Sequence, residues 1–258
     1  MNIIISPAKK MNVDTDTFPV EGLPFFREET EALCAVIRKM SLRQAKELWG
    51  CNDKLAELNF RRFAEMDLER NLTPAILSYE GLQYQHMAPS VMTEGALAYI
   101  QGHLKILSGF YGVLSPFDGV VPYRLEMQAK LSVDGKKDLY DFWGDKLCRR
   151  VSESDEVILN LASKEYSMAI EKHLSPEMRY ITCTFGELQD GRIRQKGTFA
   201  KMARGEMVRF LAEHGIDEPE RVREFEGLGY RFAEAYSSEN EFVFLRNDCS
   251  SPLSAALC

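Results

Sequence analysis

The sequence predicts an α/β protein with mixed α and β elements, in which one mixed sheet is surrounded by helices. Three apolar, largely β-branched runs have the length of buried strands, at residues 2–5, 156–162 and 179–185. Amphipathic stretches of helical period separate these runs. No linker rich in glycine, serine or proline divides the 258 residues. We therefore expect a single domain over residues 1–246, followed by a small, polar, aperiodic tail at 247–258 that we predict to be disordered.

The composition narrows the class of protein. A formal net charge of −7 argues against a protein that coats nucleic acid, because its overall field repels a polyanion, although a local basic cleft is allowed. Six cysteines without a CxxC pair or a Cys/His cluster indicate reduced thiols, and we expect neither a metal site nor a cofactor. No apolar run has the length of a signal-peptide core or a membrane span. We therefore expect a cytoplasmic protein without a membrane partner.

The N-terminal strand leads into the first candidate site. Asn2–Ile5 is followed by Ser6 and Pro7, which end the strand, and Lys9 lies just beyond. Because sites are often built from loops at the ends of buried strands, Lys9 is a candidate contact for an anion or a substrate. A solvated surface lysine is the simpler alternative. Residues 11–24 predict an extended surface loop.

Helical patterns occupy the following residues. Three helices are predicted at residues 26–40, 41–49 and 53–63, the last two with Ser41 and Asp53 as N-caps. Lys54 and Arg62 lie outside the apolar stripe of the third helix, as expected of a solvated face. A further element begins at Thr73-Pro74, and its part at residues 79–84 fits a helix or a strand.

Residues 94–118 predict a helix-hairpin-helix. Apolar residues flank a turn with Gly109 and Gly112, a spacing that suits two short helices joined by a tight hairpin. The bare backbone would let amide N–H groups bind a phosphate without reading a base, with Lys105 and Arg124 completing the contacts. The residues that we predict to contact DNA are Lys105, Ser108, Gly109, Tyr111 and Gly112. An ordinary corner between two helices fits the same pattern.

A second charged pair follows the hairpin. Apolar and charged residues alternate over residues 122–127, which predicts a strand with Arg124 and Glu126 on one face. Such a pair can position a substrate group, or it can be a structural ion pair. Asp138 then caps a helix predicted at residues 138–151.

The strand at residues 156–162 runs directly into a helix predicted at 163–173. Ser163 is its predicted N-cap, and a strand followed by a capped helix is typical of an α/β unit with an anion pocket nearby. Structural capping explains Ser163 equally well. The later predictions are a strand at 179–185, helices at 198–214 and 219–225, and a hairpin of 230–236 with 241–246.

The helix at residues 198–214 carries a second candidate anion site. Lys201 and Arg204 share a face, where like charges repel unless an anion or a carboxylate lies between them. Gly205 costs a helix about 1 kcal/mol relative to alanine, so we expect another part of the chain to approach closely there. Arg209 is expected to form a surface pair with Glu206.

Seven sequence blocks, taken together, identify a protein family more specifically than any one of them does. They are ISPAK (5–9), NDKLA (52–56) with Asn59 and Arg62, LSGFYGVL (107–114), PYRLEM (122–127), DLYDFWGD (138–145), NLASKEY (160–166) and KMARGEMVRF (201–210). In this order they resemble the blocks of the YaaA peroxide-stress family, over the chain up to about Arg246. Glu80 and Leu82 depart from the lysine and aspartate that some members carry, which puts in doubt a role for that loop here.

This resemblance implies a bacterial cytoplasmic protein of the response to hydrogen peroxide, which limits free iron and thereby oxidative damage to DNA. It also implies one α/β domain with a DNA-binding helix-hairpin-helix beside a positively charged cleft, and binding to duplex or branched DNA without sequence specificity. The cleft residues that it implies are Lys9, Lys54, Arg62, Arg124, Glu126, Lys201, Arg204 and Arg209. No catalytic reaction comes with the family.

Two classes of function therefore stay open. The first is a DNA-binding stress protein. The second is an enzyme acting on a nucleotide or another anionic small molecule, because the cleft residues, Asp138 and Ser163 lie at strand ends and helix starts, where pockets form. Gly109→Glu is expected to abolish DNA binding and spare turnover, and Glu126→Gln to do the reverse.

Overall fold

The largest sheet of the molecule has eight strands, most of them parallel. A computed structural model describes residues 1–246, and the tail at 247–258, which we predicted to be disordered, lies outside the described residues. The strands are β1 (Asn2–Ile5), β2 (Lys10–Met11), β3 (Thr73–Pro74), β4 (Tyr79–Glu80), β5 (Leu104–Ser108), β6 (Gly112–Leu114), β7 (Gly119–Val120), β8 (Val157–Leu161), β9 (Arg179–Gln189), β10 (Arg192–Arg194), β11 (Tyr230–Phe232) and β12 (Glu241–Arg246).

The helices all lie between β1 and β12 in the described chain. They are α1 (Arg27–Arg38), α2 (Leu42–Trp49), α3 (Asp53–Glu65), α4 (Ala75–Ser78), α5 (Leu82–Met87), α6 (Glu94–His103), α7 (Leu139–Trp143), α8 (Lys146–Ser152), α9 (Lys164–Glu171) and α10 (Gly197–His214). Short 3-10 helices lie at Pro89–Val91, Pro219–Glu224 and Glu234–Tyr236. The predicted mixed α/β fold is confirmed.

The sheet has the order β11-β12-β9-β8-β1-β5-β6, with β10 paired to β9. β1 lies in the interior, parallel to both β5 and β8, and its three isoleucines are fully buried. A continuous apolar run is what a parallel strand covered on both faces requires. β6 and β11 pair antiparallel at the two ends of this order.

The connections of β1 and β8 leave in opposite directions. β1 is followed in the sheet by β5 on one side, whereas β8 is followed by β9 on the other. The carboxyl ends of two such adjacent strands leave a crevice between the diverging connections, which is the usual ligand position in open α/β sheets. The topology alone therefore predicts a ligand site at the carboxyl ends of β1 and β8.

The predicted helix-hairpin-helix is wrong, because residues 104–114 form a β-hairpin of β5 and β6. Leu104 and Ile106 pair with β1, and this pairing turns a short apolar run into a strand. Gly109 lies at the hairpin turn, where an added Cβ would lie 2.6 Å from the carbonyl oxygen of Leu125. Gly112 has φ +77° and contacts Phe26. The two glycines thus allow neighbouring protein atoms to pack closely against the hairpin backbone.

Other boundaries also differ from the predictions. The segment at 122–127, predicted as a strand, forms no strand. The predicted helix at 138–151 breaks at Gly144, whose φ is +51°, into α7 and α8. The N-cap of α3 is Asn52, whose side chain accepts a hydrogen bond from the Leu55 amide (3.0 Å), and not Asp53. Ser41 and Asp138 cap α2 and α7 as predicted.

Candidate functional site

A cleft of about 410 Å³ lies where β1 and β8 end. Ser6 and Ser163, the residues that follow these strands, both line it. The Ser6 hydroxyl accepts a hydrogen bond from the Ser163 amide (2.8 Å) and donates to the Ser163 hydroxyl (3.1 Å). Ser163 therefore occupies the N-cap position of α9 without capping it through its side chain. The two serines join the strand ends at the topological switch point.

Tyrosines form part of the cleft wall. Tyr84 donates to the carbonyl oxygen of Ser6 (3.0 Å), and Tyr123 and Tyr166 line the same cavity. The Tyr123 hydroxyl lies 2.6 Å from the hydroxyl of Ser108, and burial raises the pKa of Tyr123 to about 12. These phenols are protonated at neutral pH, so they can hydrogen-bond a ligand without adding negative charge.

Positive charge exceeds negative charge in the cleft, although the whole chain carries −7. Five cationic side chains and three carboxylates line it: Lys9, Lys10, Arg124, Lys201 and Arg204, with Glu80, Glu126 and Glu165. An excess of cations in a concave site attracts anions even when the net charge of the protein is negative.

Some of these charges are paired with one another. Glu126 Oε1 lies 2.8 Å from Arg124 Nη2 and 3.2 Å from Lys9 Nζ, and Lys10 Nζ lies 2.5 Å from Glu80 Oε1. The Arg124 and Glu126 side chains are both only 11% exposed. The Glu126 contacts are ion pairs by distance, without hydrogen-bond geometry. Arg124 and Glu126 thus meet as expected, in a segment without regular secondary structure instead of a strand.

Arg204 has no such partner. No carboxylate within residues 1–246 lies at salt-bridge distance from its half-buried guanidinium, its buried Nε has no hydrogen-bond acceptor, and burial lowers its pKa. Lys201, one turn earlier on α10, is exposed and also without a carboxylate partner in this part of the chain. An unpaired, partly buried cation costs stability, and it leaves donors free to contact an anion.

Two further donors are unpaired in the same cleft. Gln83 Nε2 and Arg124 Nε are buried and have no acceptor within the described residues. Gln83 is only 7% exposed and lies on α5. Buried donors are almost always hydrogen-bonded, and each one left unsatisfied costs about 1–3 kcal/mol. All three of these donors belong to residues that line one cavity.

The close approach that we predicted at Gly205 is confirmed. A Cβ on Gly205 would overlap the carbonyl oxygen of Gln83, so α5 and α10 meet backbone to backbone. This contact holds Gln83 and Arg204 on adjoining helices at the cleft.

Glu165 is a cleft carboxylate that the sequence did not single out. It lies in the first turn of α9, half-buried, and accepts a hydrogen bond from the Gln128 amide (3.3 Å). Burial raises its pKa, with the nearby Glu126 acting in the same direction. Glu165 therefore accepts a proton more readily than an ordinary glutamate.

The remaining predicted cleft residues lie outside the cavity. Lys54 is exposed on α3, and Arg62 donates to Asn59 Oδ1 (3.3 Å). Asp138 accepts from the Asp141 amide (2.9 Å) as the cap of α7. Arg209 pairs with Glu213 (2.7 Å) and not, as we expected, with Glu206, which contacts His86 instead.

The residues predicted to contact DNA lie in the β-hairpin and line no part of the cleft. Ser108 is fully buried and accepts hydrogen bonds from the amides of Phe110 (3.1 Å) and Tyr111 (2.9 Å). Gly109 and Gly112 are buried against protein atoms, and Lys105 is half-buried, with a pKa lowered by burial. The hairpin therefore presents no row of free amides to a phosphate.

Residues 1–246 contain neither a metal-binding cluster nor a helix that could span a membrane. No group of three or more His, Cys, Asp or Glu side chains there is arranged to hold a metal ion. None of the helices in this range combines the length and apolar character needed to cross a bilayer. Four cysteines of this range, Cys34, Cys51, Cys148 and Cys183, are free thiols.

Comparison with known proteins matches most of the chain to one family. Residues 1–236 match the family described as "Peroxide stress protein YaaA". A UPF0246 protein of Lachnoclostridium phytofermentans is 52% identical over 248 residues, which cover 96% of this chain and 97% of the relative. UPF0246 proteins of Desulfitobacterium hafniense (50%; 95% and 98% covered) and Agathobacter rectalis (52%; 95% and 99%) are similarly close.

Proposed function

This chain belongs to the peroxide stress protein YaaA family, and we propose that it acts in the peroxide response by binding a nucleotide or another anionic small molecule in the switch-point cleft. The observation that carries the proposal is the set of three buried, unpaired donors, on Gln83, Arg124 and Arg204, in one cavity. The cavity has the size of a small-molecule site. In this proposal the protein limits free iron and oxidative damage to DNA through that ligand.

Arg204→Met is the variant that tests the cleft. Titration calorimetry with inorganic phosphate, pyrophosphate and AMP is expected to show binding by the unmodified chain and a loss of about tenfold or more in the variant, since a charge-assisted hydrogen bond is worth about 1.5–3 kcal/mol. Arg209→Met is the matched control, because it makes the same change on the same helix outside the cleft. Equal affinity in the two variants would contradict the proposal.

A second candidate is binding of duplex or branched DNA across the mouth of the cleft. Its support is the exposure of three lining lysines: the Lys9 and Lys10 side chains are 64% and 70% exposed, and Lys201 is also exposed. Exposed lysines contact backbone phosphates without reading sequence. With so few contacts the salt dependence is shallow, about 0.9 in log–log slope per phosphate.

Electrophoretic mobility on linear duplex, single-stranded and four-way junction DNA across a salt series tests this candidate. Lys201→Ala and Lys10→Ala are expected to weaken binding and to lower the slope by about one phosphate each, whereas Lys39→Ala, an exposed lysine on no part of the cleft, leaves both unchanged. Gly109→Glu does not serve as a control, because its side chain would collide with Leu125 and disturb folding. Absence of binding to any DNA at low salt would exclude this candidate.

A further inference from the structure

A second concave surface adjoins the cleft. This groove, of about 750 Å³, is lined by residues that include apolar Met40, Leu48, Trp49 and Ala129 and the amide side chains of Gln44 and Gln128. We call it the Trp49 groove. Its lining also includes two lysines and two glutamates, at Lys9, Glu47, Glu126 and Lys130.

The cleft and the Trp49 groove are continuous. Lys9 and Glu126 line both of them, and their ion pair, 3.2 Å from Nζ to Oε1, therefore lies at the junction. The segment after Glu126 turns from one cavity to the other, since Gln128 lines the groove. A ligand held by its charged end in the cleft can extend past the ion pair into the groove.

The two tryptophans of the chain differ in one respect. Trp143 is fully buried, and its indole N–H donates to the carbonyl oxygen of Gly109 (3.1 Å). Trp49 is only 3% exposed, yet its buried indole N–H has no acceptor within residues 1–246. Buried indole N–H groups usually find a partner. The unpaired donor of Trp49 therefore points to an acceptor that a ligand supplies.

We infer that the Trp49 groove receives the base of a nucleotide whose phosphate lies in the cleft. This inference rests on the proposed function and narrows its ligand to a phosphate joined to a flat, heteroaromatic ring. Such a ring offers nitrogen or carbonyl acceptors to the indole N–H and apolar faces to Met40 and Leu48. The carbonyl of Gln44 is occupied by the Ser41 amide (2.8 Å), which leaves its NH₂ group as a second donor to the base.

The test compares AMP with ribose 5-phosphate, which lacks the base. AMP is expected to bind about tenfold more tightly and to change the fluorescence of Trp49, whereas ribose 5-phosphate changes it little. Trp49→Phe keeps an aromatic ring against Phe63, on which Trp49 stacks at 5.7 Å, and removes the N–H together with one ring of the indole. It is expected to lower the affinity for AMP about fivefold, without affecting ribose 5-phosphate.

Ala129→Met is a second variant that does not depend on tryptophan packing. Its longer side chain fills the groove, so the affinity for AMP falls to that for ribose 5-phosphate, which itself stays unchanged. Equal binding of the two probes by the unmodified chain, or unchanged AMP binding in both variants, would overturn the inference and leave the proposed function standing. Failure of both probes and of inorganic phosphate to bind would instead overturn the proposed function, and this inference with it.

Discussion

At the scale of single residues, a charged side chain with an ion-pair partner has a structural role, whereas one without a partner is a candidate for ligand binding. Arg209 is matched by Glu213, and Glu126 by Arg124 and Lys9. Arg204 is matched by nothing within the described residues, and it lies in a cavity. A protein retains such an unsatisfied group when a ligand uses it.

Asp118 gives a prediction at this scale. Burial raises its pKa to about 6, while a hydrogen bond from the Ser115 amide (2.8 Å) opposes the shift. Because the folded protein holds this proton more tightly than the unfolded chain, the stability due to Asp118 is full below about pH 4 and is lost as pH rises through 6.

Asp118→Asn keeps an acceptor for Ser115 and removes the titration. The variant is therefore expected to be more stable than the unmodified chain at pH 7 by about 2 kcal/mol, with the difference shrinking towards pH 4. Urea unfolding at pH 4, 5, 6 and 7 measures it. A difference that does not vary with pH would contradict the assignment.

At the scale of elements, the cleft depends on how closely α5 and α10 pack. Gly205 lets the two backbones meet, and this places Gln83 beside Arg204. The β5–β6 hairpin also helps to position the cleft, since the Ser108 hydroxyl hydrogen-bonds the hydroxyl of the cleft tyrosine Tyr123 (2.6 Å). The residues predicted to bind DNA thus have a packing role that positions the cleft wall.

Gly205→Ala tests the helix contact. Alanine favours a helix by about 1 kcal/mol, but its methyl group would overlap the Gln83 carbonyl, so we expect a net loss of about 2 kcal/mol in the free energy of unfolding and weaker phosphate binding. Gly102→Ala on α6 is the control, because no neighbouring atom lies within 4 Å of its added Cβ. It is expected to stabilise the protein by up to about 1 kcal/mol. Chemical denaturation of both variants decides; a stabilised Gly205→Ala protein would refute the close packing.

At the scale of the whole molecule, a chain of net charge −7 concentrates positive charge in one cleft at the switch point of its sheet. The repulsion and the unsatisfied donors in that cleft oppose folding. The proposed binding site is therefore expected to lower the stability of the fold locally.

The Arg204→Met variant also tests this balance. Removing an unpaired, partly buried guanidinium while keeping an unbranched side chain is expected to raise the free energy of unfolding by about 1 kcal/mol, although phosphate binding falls. Arg209→Met, which loses only a surface pair, is expected to change stability by less than about 0.5 kcal/mol. A destabilised Arg204→Met protein would mean that Arg204 serves the fold and not a ligand.

The local elements were largely predictable from the sequence because local rules govern them. The isoleucines of β1, the caps at Ser41 and Asp138, and the amphipathic α10 follow from periodicity and capping alone. The close approach at Gly205 was also predictable, since a glycine inside a helix lowers helix stability and is usually kept for tight packing.

Strand pairing in the tertiary structure decided the element types that local rules do not determine. Residues 104–108 became a strand because β1 offers hydrogen bonds along them, and short apolar runs do not distinguish strand from helix by themselves. Five of the predicted cleft residues line one cavity, whereas Gln83 and Glu165 carry no sequence signal of their own. The sequence by itself determined most of the helices and the buried strands, the family and the charged candidates. Only the tertiary structure decided which donors stay unpaired, because hydrogen-bond satisfaction depends on residues far apart in the chain.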